Sequence, residues 1–217
     1  MYKRIQQLPL FQGLSEKSIT EIIEKVKLHF KTLSAGTTFV EQGESCTQLI
    51  FILNGLVIRN FQSEDHTFNI ELEVGSNELI EPDALFGLTP SYQASYTTAT
   101  ETDVLIIDKN YVVSQLMDYS IFKMNFLNIL SGKIHSYNQL VWKPTSSNEL
   151  LDRFNSFVQA HTLGSDSPVT IYITMDNLAF QLNGTRLNVS RMLNNLRDTH
   201  KIKLKRKTIY IPESKLI

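Results

Sequence analysis

The sequence predicts an α+β protein in which an N-terminal jelly-roll is followed by a long dimerisation helix and a C-terminal winged helix-turn-helix. Short β-branched and aromatic runs, separated by turn residues, occupy residues 37–107, as in sandwiches and barrels. Apolar residues at helical spacing follow between 118 and 142, and two short helices precede a strongly basic hairpin. We therefore divide the chain into three parts: 1–117, 118–143 and 144–217.

The first part begins with a capped helix and continues as strands. Ser15 is suited to capping a helix whose apolar residues, from Ile19 to Val26, recur at steps of three and four. The predicted strands are 37–40, 49–53, 56–58, 68–72 and 103–107. Asn54 and Gly55 separate two of these runs, which predicts a tight hairpin at that point.

Composition excludes several classes of protein. The chain carries 42% hydrophobic and 20% charged residues, which is ordinary for a globular protein, and no apolar run is long enough to span a bilayer. The N-terminal residues lack the apolar region of a secretory signal, and Cys46 is the only cysteine, so we expect a cytoplasmic location. We find no nucleophile elbow, phosphate-binding loop or histidine pair at metal-ligand spacing. We thus expect neither enzymatic activity nor a bound metal, and we identify no cofactor.

Charge is distributed unevenly along the chain. Residues 145–217 contain ten basic and six acidic side chains, whereas residues 1–144 contain eleven and sixteen. A basic module beside an acidic remainder is typical of proteins in which one part contacts nucleic acid. A difference of this size also arises by chance, so more weight rests on the clustering of basic side chains at Lys201, Lys203, Lys205, Arg206 and Lys207 than on the net charge.

The C-terminal segment predicts two helices separated by a tight turn. The first helix covers 176–181, residues 182–185 form the turn, and Thr185 is a natural N-cap for the second helix. Val189, Met192, Leu193 and Leu196 form the buried face of that helix, which leaves its polar residues outside. A helix in this arrangement enters the major groove of DNA with its first turns against the bases.

Nine residues are candidates for contact with double-stranded DNA. Arginine reads guanine and asparagine reads adenine through paired hydrogen bonds, and an apolar side chain contacts a thymine methyl group. Lysines and arginines near the tip of a following strand pair bind phosphates without reading sequence. The candidates are Thr185, Arg186, Leu187, Asn188, Ser190, Arg191, Lys205, Arg206 and Lys207. The alternative for each is a solvated surface position, and for the strand pair a charged edge that prevents aggregation.

Two stretches together resemble the Crp/Fnr family of transcription regulators. Residues 10–15, 35–44 and 51–57 are similar to the opening of its cyclic-nucleotide-binding β-roll, and residues 173–212 resemble its winged helix. The resemblance covers nearly the whole chain in the family's order. It implies a homodimer that reads an inverted-repeat DNA site, and RNA polymerase as a partner if the protein activates transcription. Leu187 stands where the cyclic-AMP receptor protein has an acidic residue, so the half-site need not match.

The ligand pocket departs from the family pattern. Members that bind cyclic nucleotides carry Phe-Gly-Glu and, about ten residues later, an arginine followed by Ser/Thr-Ala. Here Glu81 is present, but Ile80 replaces the glycine, and Gln93, followed by Ala94, replaces the arginine. Burying a cyclic phosphate without a cationic partner is costly, so we expect no cyclic AMP in the usual mode. An unknown small-molecule effector is left open, with Asn138 and Gln139 as further polar contacts.

The long helix carries a possible dimer seam. Apolar residues recur at steps of three and four, as in a two-stranded coiled coil, and the family resemblance implies a parallel pair. The seam residues are Leu127, Leu130, Ile134, Tyr137 and Val141. The alternative is a helix packed on its own β-roll. A hinge is expected at 144–148.

Two rival functions use the same sequence differently. In one, the protein is a small-molecule sensor whose winged helix contacts another protein. In the other, the roll is an enzyme of the cupin type. A cupin enzyme needs histidine and carboxylate ligands clustered inside the roll. Because His66 is the only histidine in residues 33–107, this function is ranked last.

Overall fold

A computed structural model describes residues 2–141, 149–162 and 167–213, without the side chains of Tyr2, Lys3, Gln139, Leu140 and Val141. These residues form two compact units, one of 1–59 with 74–132 and one of 60–73 with 133–217. Residues 60–73 thus pack with the C-terminal unit, although the sequence placed them in 1–117. The predicted boundary at 143 and the predicted hinge at 144–148 lie outside the described residues.

Seven α-helices are found among the described residues. They are α1 (Tyr2–Gln7), α2 (Glu16–Lys25), α3 (Lys109–Ser114), α4 (Ser120–Val141), α5 (Leu150–Thr162), α6 (Met175–Gln181) and α7 (Arg186–Asp198). Short 3-10 turns cover Pro9–Phe11, Pro82–Ala84 and Leu116–Asp118. The hydroxyl of Ser15 accepts a hydrogen bond from the Ser18 amide at 3.1 Å, which confirms the cap predicted for α2.

Eleven strands accompany these helices. They are β1 (His29–Leu33), β2 (Thr38–Val40), β3 (Gln48–Asn54), β4 (Val57–Gln62), β5 (Phe68–Val74), β6 (Leu79–Ile80), β7 (Ser95–Thr98), β8 (Thr102–Asp108), β9 (Val169–Ile173), β10 (Lys203–Lys205) and β11 (Thr208–Ile211). In the first unit, one sheet has the antiparallel order β1-β8-β3-β6, and β2 pairs with β7. This arrangement confirms the predicted roll.

The hairpin predicted at Asn54 and Gly55 is wrong. Strand β3 pairs with β8 and β6, and it does not pair with β4. The chain instead packs closely against the start of β8: a Cβ added at Gly55 would lie 2.5 Å from Oγ1 of Thr102. The Leu56 amide also donates to Oγ1 of Thr100 at 3.0 Å. Glycine is needed here for a crossing with φ of +104°, rather than for a two-residue turn.

One part of the core of the first unit joins strand β3 to the flanking helical segments. Phe11 packs its ring against Phe51 and Phe122, with centroids 5.8 and 5.4 Å apart. All three rings are fully buried. The side-chain amide of Asn125 on α4 donates to the backbone carbonyl oxygens of Leu10 and Gln12 at 3.2 and 2.8 Å. Burial and these two bonds fix the start of α4 to the N-terminal segment.

The second unit contains four paired strands covered by three helices. Its strands run β10-β11-β9-β5, all antiparallel. Phe68, Ile70 and Leu72 of β5 enter the same buried cluster as Phe154 of α5 and Leu193 of α7. Strand β5 therefore completes the sheet beneath the helices, through a pairing of residues about a hundred positions apart along the chain.

Candidate nucleic-acid interface

Helices α6 and α7 are joined by a turn that is closed by local hydrogen bonds. Thr174 and Thr185 cap the two helices, accepting from the amides of Asn177 at 3.1 Å and Asn188 at 3.3 Å. Asn183 has φ of 45°, a conformation that asparagine tolerates better than most residues. The cap predicted at Thr185 is confirmed, and it starts α7 at Arg186.

A side chain from α5 supports this turn. Nη1 of Arg153 donates to the carbonyl oxygen of Asn183 at 3.2 Å. This arginine was missed in the sequence, because nothing local relates it to a turn thirty residues later. Its bond ties the connection between α6 and α7 to the helix packed beneath them.

The apolar face of α7 fixes which residues point outward. Val189 and Leu193 are fully buried, and Leu178 of α6 lies in the same cluster. The opposite face is exposed: the side chain of Arg186 is 70% accessible, and Leu187 is 59% accessible. Thr185, Asn188 and Arg191 are also exposed, whereas Ser190 is half-buried. The predicted readers are therefore not occluded by the interior of their own unit.

The basic hairpin after α7 forms the predicted wing. Strands β10 and β11 pair from Lys203–Tyr210 to Lys205–Thr208, so Arg206 and Lys207 form the tip. Lys205, Arg206 and Lys207 are all exposed. The ammonium group of Lys203 lies 5.6 Å from the centre of the Tyr210 ring, within the range of a cation–π contact.

A cavity of about 330 Å³ lies between the two helices and the wing. Arg186, Lys205 and Lys207 line it together with Asp176 of α6, above an apolar floor that includes Leu193. One carboxylate oxygen of Asp176 is 3.6 Å from Nη1 of Arg186. The cations assigned to base reading and to phosphate binding thus converge on one part of the unit.

Glu81 is the centre of the predicted effector pocket, and its carboxylate is bonded within its own unit. It accepts hydrogen bonds from the backbone amide of Gln93 at 2.6 Å and from the hydroxyl of Tyr96 at 3.0 Å. Nε of Arg59 lies 3.8 Å from the same carboxylate, which is only 7% exposed. Burial raises the pKa of the Glu81 carboxyl, while the Gln93 amide and the charge of Arg59 oppose this rise.

The other pocket candidates differ in exposure and in the unit to which they belong. The Gln93 side chain is exposed, and Ala94 is fully buried. Asn138 is exposed and belongs to the other compact unit, and the side chain of Gln139 lies outside the described residues. Arg59 was missed as a partner of Glu81 because it is 22 positions away in sequence and lies on a separate strand, β4.

Comparison with solved structures relates the chain to transcription regulators. The catabolite activator protein of Thermus thermophilus matches with a TM-score of 0.55 and 18% identity, covering 96% of this chain and 95% of its own. A putative crp/fnr-family regulator of Eubacterium rectale matches with a TM-score of 0.51 and 21% identity, covering 97% and 96%. The chain has the Crp/Fnr fold. No known family profile and no curated protein sequence matches it.

Part of the same fold is found in a sensor domain. That of the regulator DNR from Pseudomonas aeruginosa matches with a TM-score of 0.52 and 18% identity, covering 64% of this chain and 96% of its own. Together these similarities confirm the α+β fold class predicted from the sequence, with a cyclic-nucleotide-binding-like roll and a helix-turn-helix. At such identities they establish architecture, and the roles of individual residues rest on this chain's own geometry.

Helix α4 of this Crp/Fnr fold exposes an apolar stripe. Leu127, Ile134 and Tyr137 of the predicted seam are exposed, with Ile134 at 60%, and Leu130 is half-buried. The side chain of Val141 lies outside the described residues. The stripe continues toward the start of the helix with Ile121 and Met124. Contiguous exposed apolar residues on a helix commonly mark an interaction surface. Their exposure agrees with the predicted dimer seam, which stays a prediction.

Within the part of the chain that the structure describes, three further features concern metal ligands, membrane-spanning helices and the single cysteine. No group of three or more possible metal ligands occurs among the described residues, and none of their helices has the length and apolarity required to cross a bilayer. Cys46 is buried, and desolvation raises the pKa of its thiol. A buried thiol of this kind is a poor nucleophile.

Proposed function

We propose that the protein is a DNA-binding transcription regulator that works as a homodimer on an inverted-repeat site. The observation that carries this proposal is the outward placement of Arg186, Asn188 and Arg191 on α7. Arginine and asparagine side chains there match the hydrogen-bonding patterns of guanine and adenine in the major groove. The Crp/Fnr fold supports the regulator role.

The wing supplies affinity that does not depend on sequence. Lys205, Arg206 and Lys207 bind phosphates beside the groove occupied by α7, which releases counterions and makes binding sensitive to salt. Thr185 precedes the three readers and Ser190 lies among them; both serve as further phosphate or base contacts, and Leu187 contacts a thymine methyl group. This division of roles separates orientation on the duplex from reading of its sequence.

Two protomers pair along the exposed stripe of α4. A parallel pair related by a two-fold axis places two copies of α7 in successive major grooves, about 34 Å apart. The bound site is then a palindrome of two half-sites. If the protein activates transcription, RNA polymerase is its further partner, and its location is the cytoplasm.

The effector is not cyclic AMP bound in the usual mode. The Glu81 carboxylate already accepts from Gln93 and Tyr96 and lies beside Arg59. A sugar hydroxyl would have to share this carboxylate with these partners, and Gln93 offers no charge to a phosphate. Another small molecule, or none, controls the protein.

Selection from a pool of randomised duplexes tests the proposal. Full-length protein is used at low salt, and the recovered sequences are measured by gel shift across a salt series. The expected result is an inverted repeat whose affinity falls steeply with salt. Recovery of a single half-site bound by a monomer would contradict the dimer, and no retained duplex at low salt would contradict DNA binding itself.

A second candidate function is a sensor whose winged helix contacts another protein. Two exposed apolar side chains favour it, Phe180 at 82% and Leu187 at 59%. Apolar groups on a helical surface suit a protein partner, whereas the neighbouring cations suit DNA. Absence of DNA binding at low salt in the preceding experiment would favour this candidate.

A further inference from the structure

Arg186, the first residue of α7, has an acidic neighbour on the preceding helix. Its Nη1 lies 3.6 Å from Oδ2 of Asp176, and both side chains are about 70% exposed. Exposed ion pairs of this kind contribute little to folding. The effect of Asp176 is therefore on the direction of the guanidinium group rather than on the stability of the unit.

The position of Asp176 is unusual for an interface that attracts phosphates. Of the described residues that line the cavity between the helices and the wing, it is the one acid, and it faces Arg186, Lys205 and Lys207. A carboxylate there reduces the attraction for any DNA, whatever its sequence. Its charge also favours the first turn of α6, but that location alone does not direct it toward Arg186.

We infer that Asp176 is a positioning residue that sets the specificity of Arg186; this rests on the proposed DNA-binding function. A contact through Nη1 leaves the edge formed by Nε and Nη2 to present two parallel donors. That edge matches the paired O6 and N7 acceptors of guanine. Exclusion of water when DNA docks lowers the local dielectric and strengthens the pair, so the guanidinium is held most firmly in the complex.

The test is Asp176→Asn in the full-length protein. Affinity is measured by fluorescence anisotropy at one fixed salt concentration, with the duplex recovered by site selection and with a scrambled duplex of equal length. We expect the ratio of the two affinities to fall on the order of tenfold. Binding to the scrambled duplex should be unchanged or tighter, because one negative charge has been removed.

Three controls separate positioning from charge and from folding. Asp198→Asn removes the same charge from the Arg197–Asp198 pair at the other end of α7, where the two groups are 2.9 Å apart, and should leave the ratio unchanged. Asp176→Glu should restore part of the ratio. In an Arg186→Ala background, Asp176→Asn should have no further effect on specificity, since coupled residues are not additive.

A scan of single base-pair substitutions localises the effect. Discrimination should be lost in Asp176→Asn at the same base pair that Arg186→Ala ceases to distinguish, and at no other. An unchanged ratio, or equal gains on both duplexes, would overturn the inference while leaving DNA binding intact. A larger gain on the specific duplex would show that Asp176 restrains Arg186 instead. Failure of the parent protein to bind any duplex would be a failure of the proposed function.

Discussion

The carboxylate of Glu81 lies 3.8 Å from Nε of Arg59, and both side chains are nearly removed from solvent. Tyr96 and the amide of Gln93 complete the surroundings of this carboxylate. The negative charge of Glu81 is therefore satisfied by partners within its own unit. Its burial gives the protein a pH-dependent stability that a substitution can isolate.

Glu81→Gln should remove the part of the pH dependence of the free energy of unfolding that comes from the Glu81 carboxyl. Because burial raises the pKa of Glu81 in the folded state, the folded protein takes up this proton at a higher pH than the unfolded chain does. The wild-type free energy of unfolding therefore gains an increment as pH falls through the raised value toward the ordinary carboxyl range, and loses it as pH rises again. Urea unfolding of both proteins at a series of pH values measures the difference. Glu78→Gln, at an exposed position, is the matched control and should run parallel to wild type.

Arg191→Ala and Lys207→Ala should weaken DNA binding in different ways. Arg191 lies on the outward face of α7, so its loss should cost about 1–3 kcal/mol on the selected site and relax discrimination there. Lys207 lies at the tip of the wing, so its loss should weaken binding to all duplexes alike and reduce the salt slope by about one. Anisotropy titrations on selected and scrambled duplexes at several salt concentrations distinguish the two. The reverse pattern would exchange the roles assigned to helix and wing.

Ile134→Glu should convert a dimer to a monomer. A charge in the centre of the exposed apolar stripe of α4 would be buried between two protomers without a partner, which is strongly unfavourable. Ser136→Glu, at an exposed position on the opposite face of the same helix, should leave the dimer intact. Sedimentation velocity over a range of concentrations measures both, and an unchanged dimer in Ile134→Glu would place the subunit contact elsewhere.

Gly55→Ala should destabilise the first unit by about 2–4 kcal/mol. The added methyl carbon would lie 2.8 Å from the carbonyl oxygen of Glu101 and 2.9 Å from Cα of Thr102, at a φ of +104°. Gly36→Ala is the control, because Gly36 also has positive φ, +79°, but nothing lies within 4 Å of an added Cβ. Backbone strain alone should cost that variant about 1 kcal/mol. Equal losses in chemical denaturation would show that contact at Gly55 is unimportant.

Ile70→Ala should destabilise the C-terminal unit, although the residue lies in the first half of the chain. Ile70 is fully buried in the cluster formed with β9 and α7, so the cavity should cost about 2–5 kcal/mol. Hydrogen exchange read by mass spectrometry should show lost protection in β9 and α7, with β3 and β8 retained. Ile50→Ala, buried in the first unit, should give the opposite pattern.

The sequence by itself determined the features that depend on near neighbours. Caps at Ser15 and Thr185, the period of apolar residues in α7 and the cluster of cations in the wing are all settled within a few positions, because helix capping and hydrophobic periodicity are short-range effects. The outward placement of Arg186, Asn188 and Arg191 follows from the same period. In the structure all three side chains are exposed, as that period predicts.

Only the tertiary structure decided the pairings between distant segments. The turn signal at Gly55 predicted a hairpin, yet the strands on either side enter different pairings because close packing against Thr102 directs the chain across the roll. Strand β5 joins β9, and Arg59 approaches Glu81, through contacts that no local pattern encodes. Strand alternation specifies which side chains are buried but leaves the partner strand open, and burial of the two cores selected that partner.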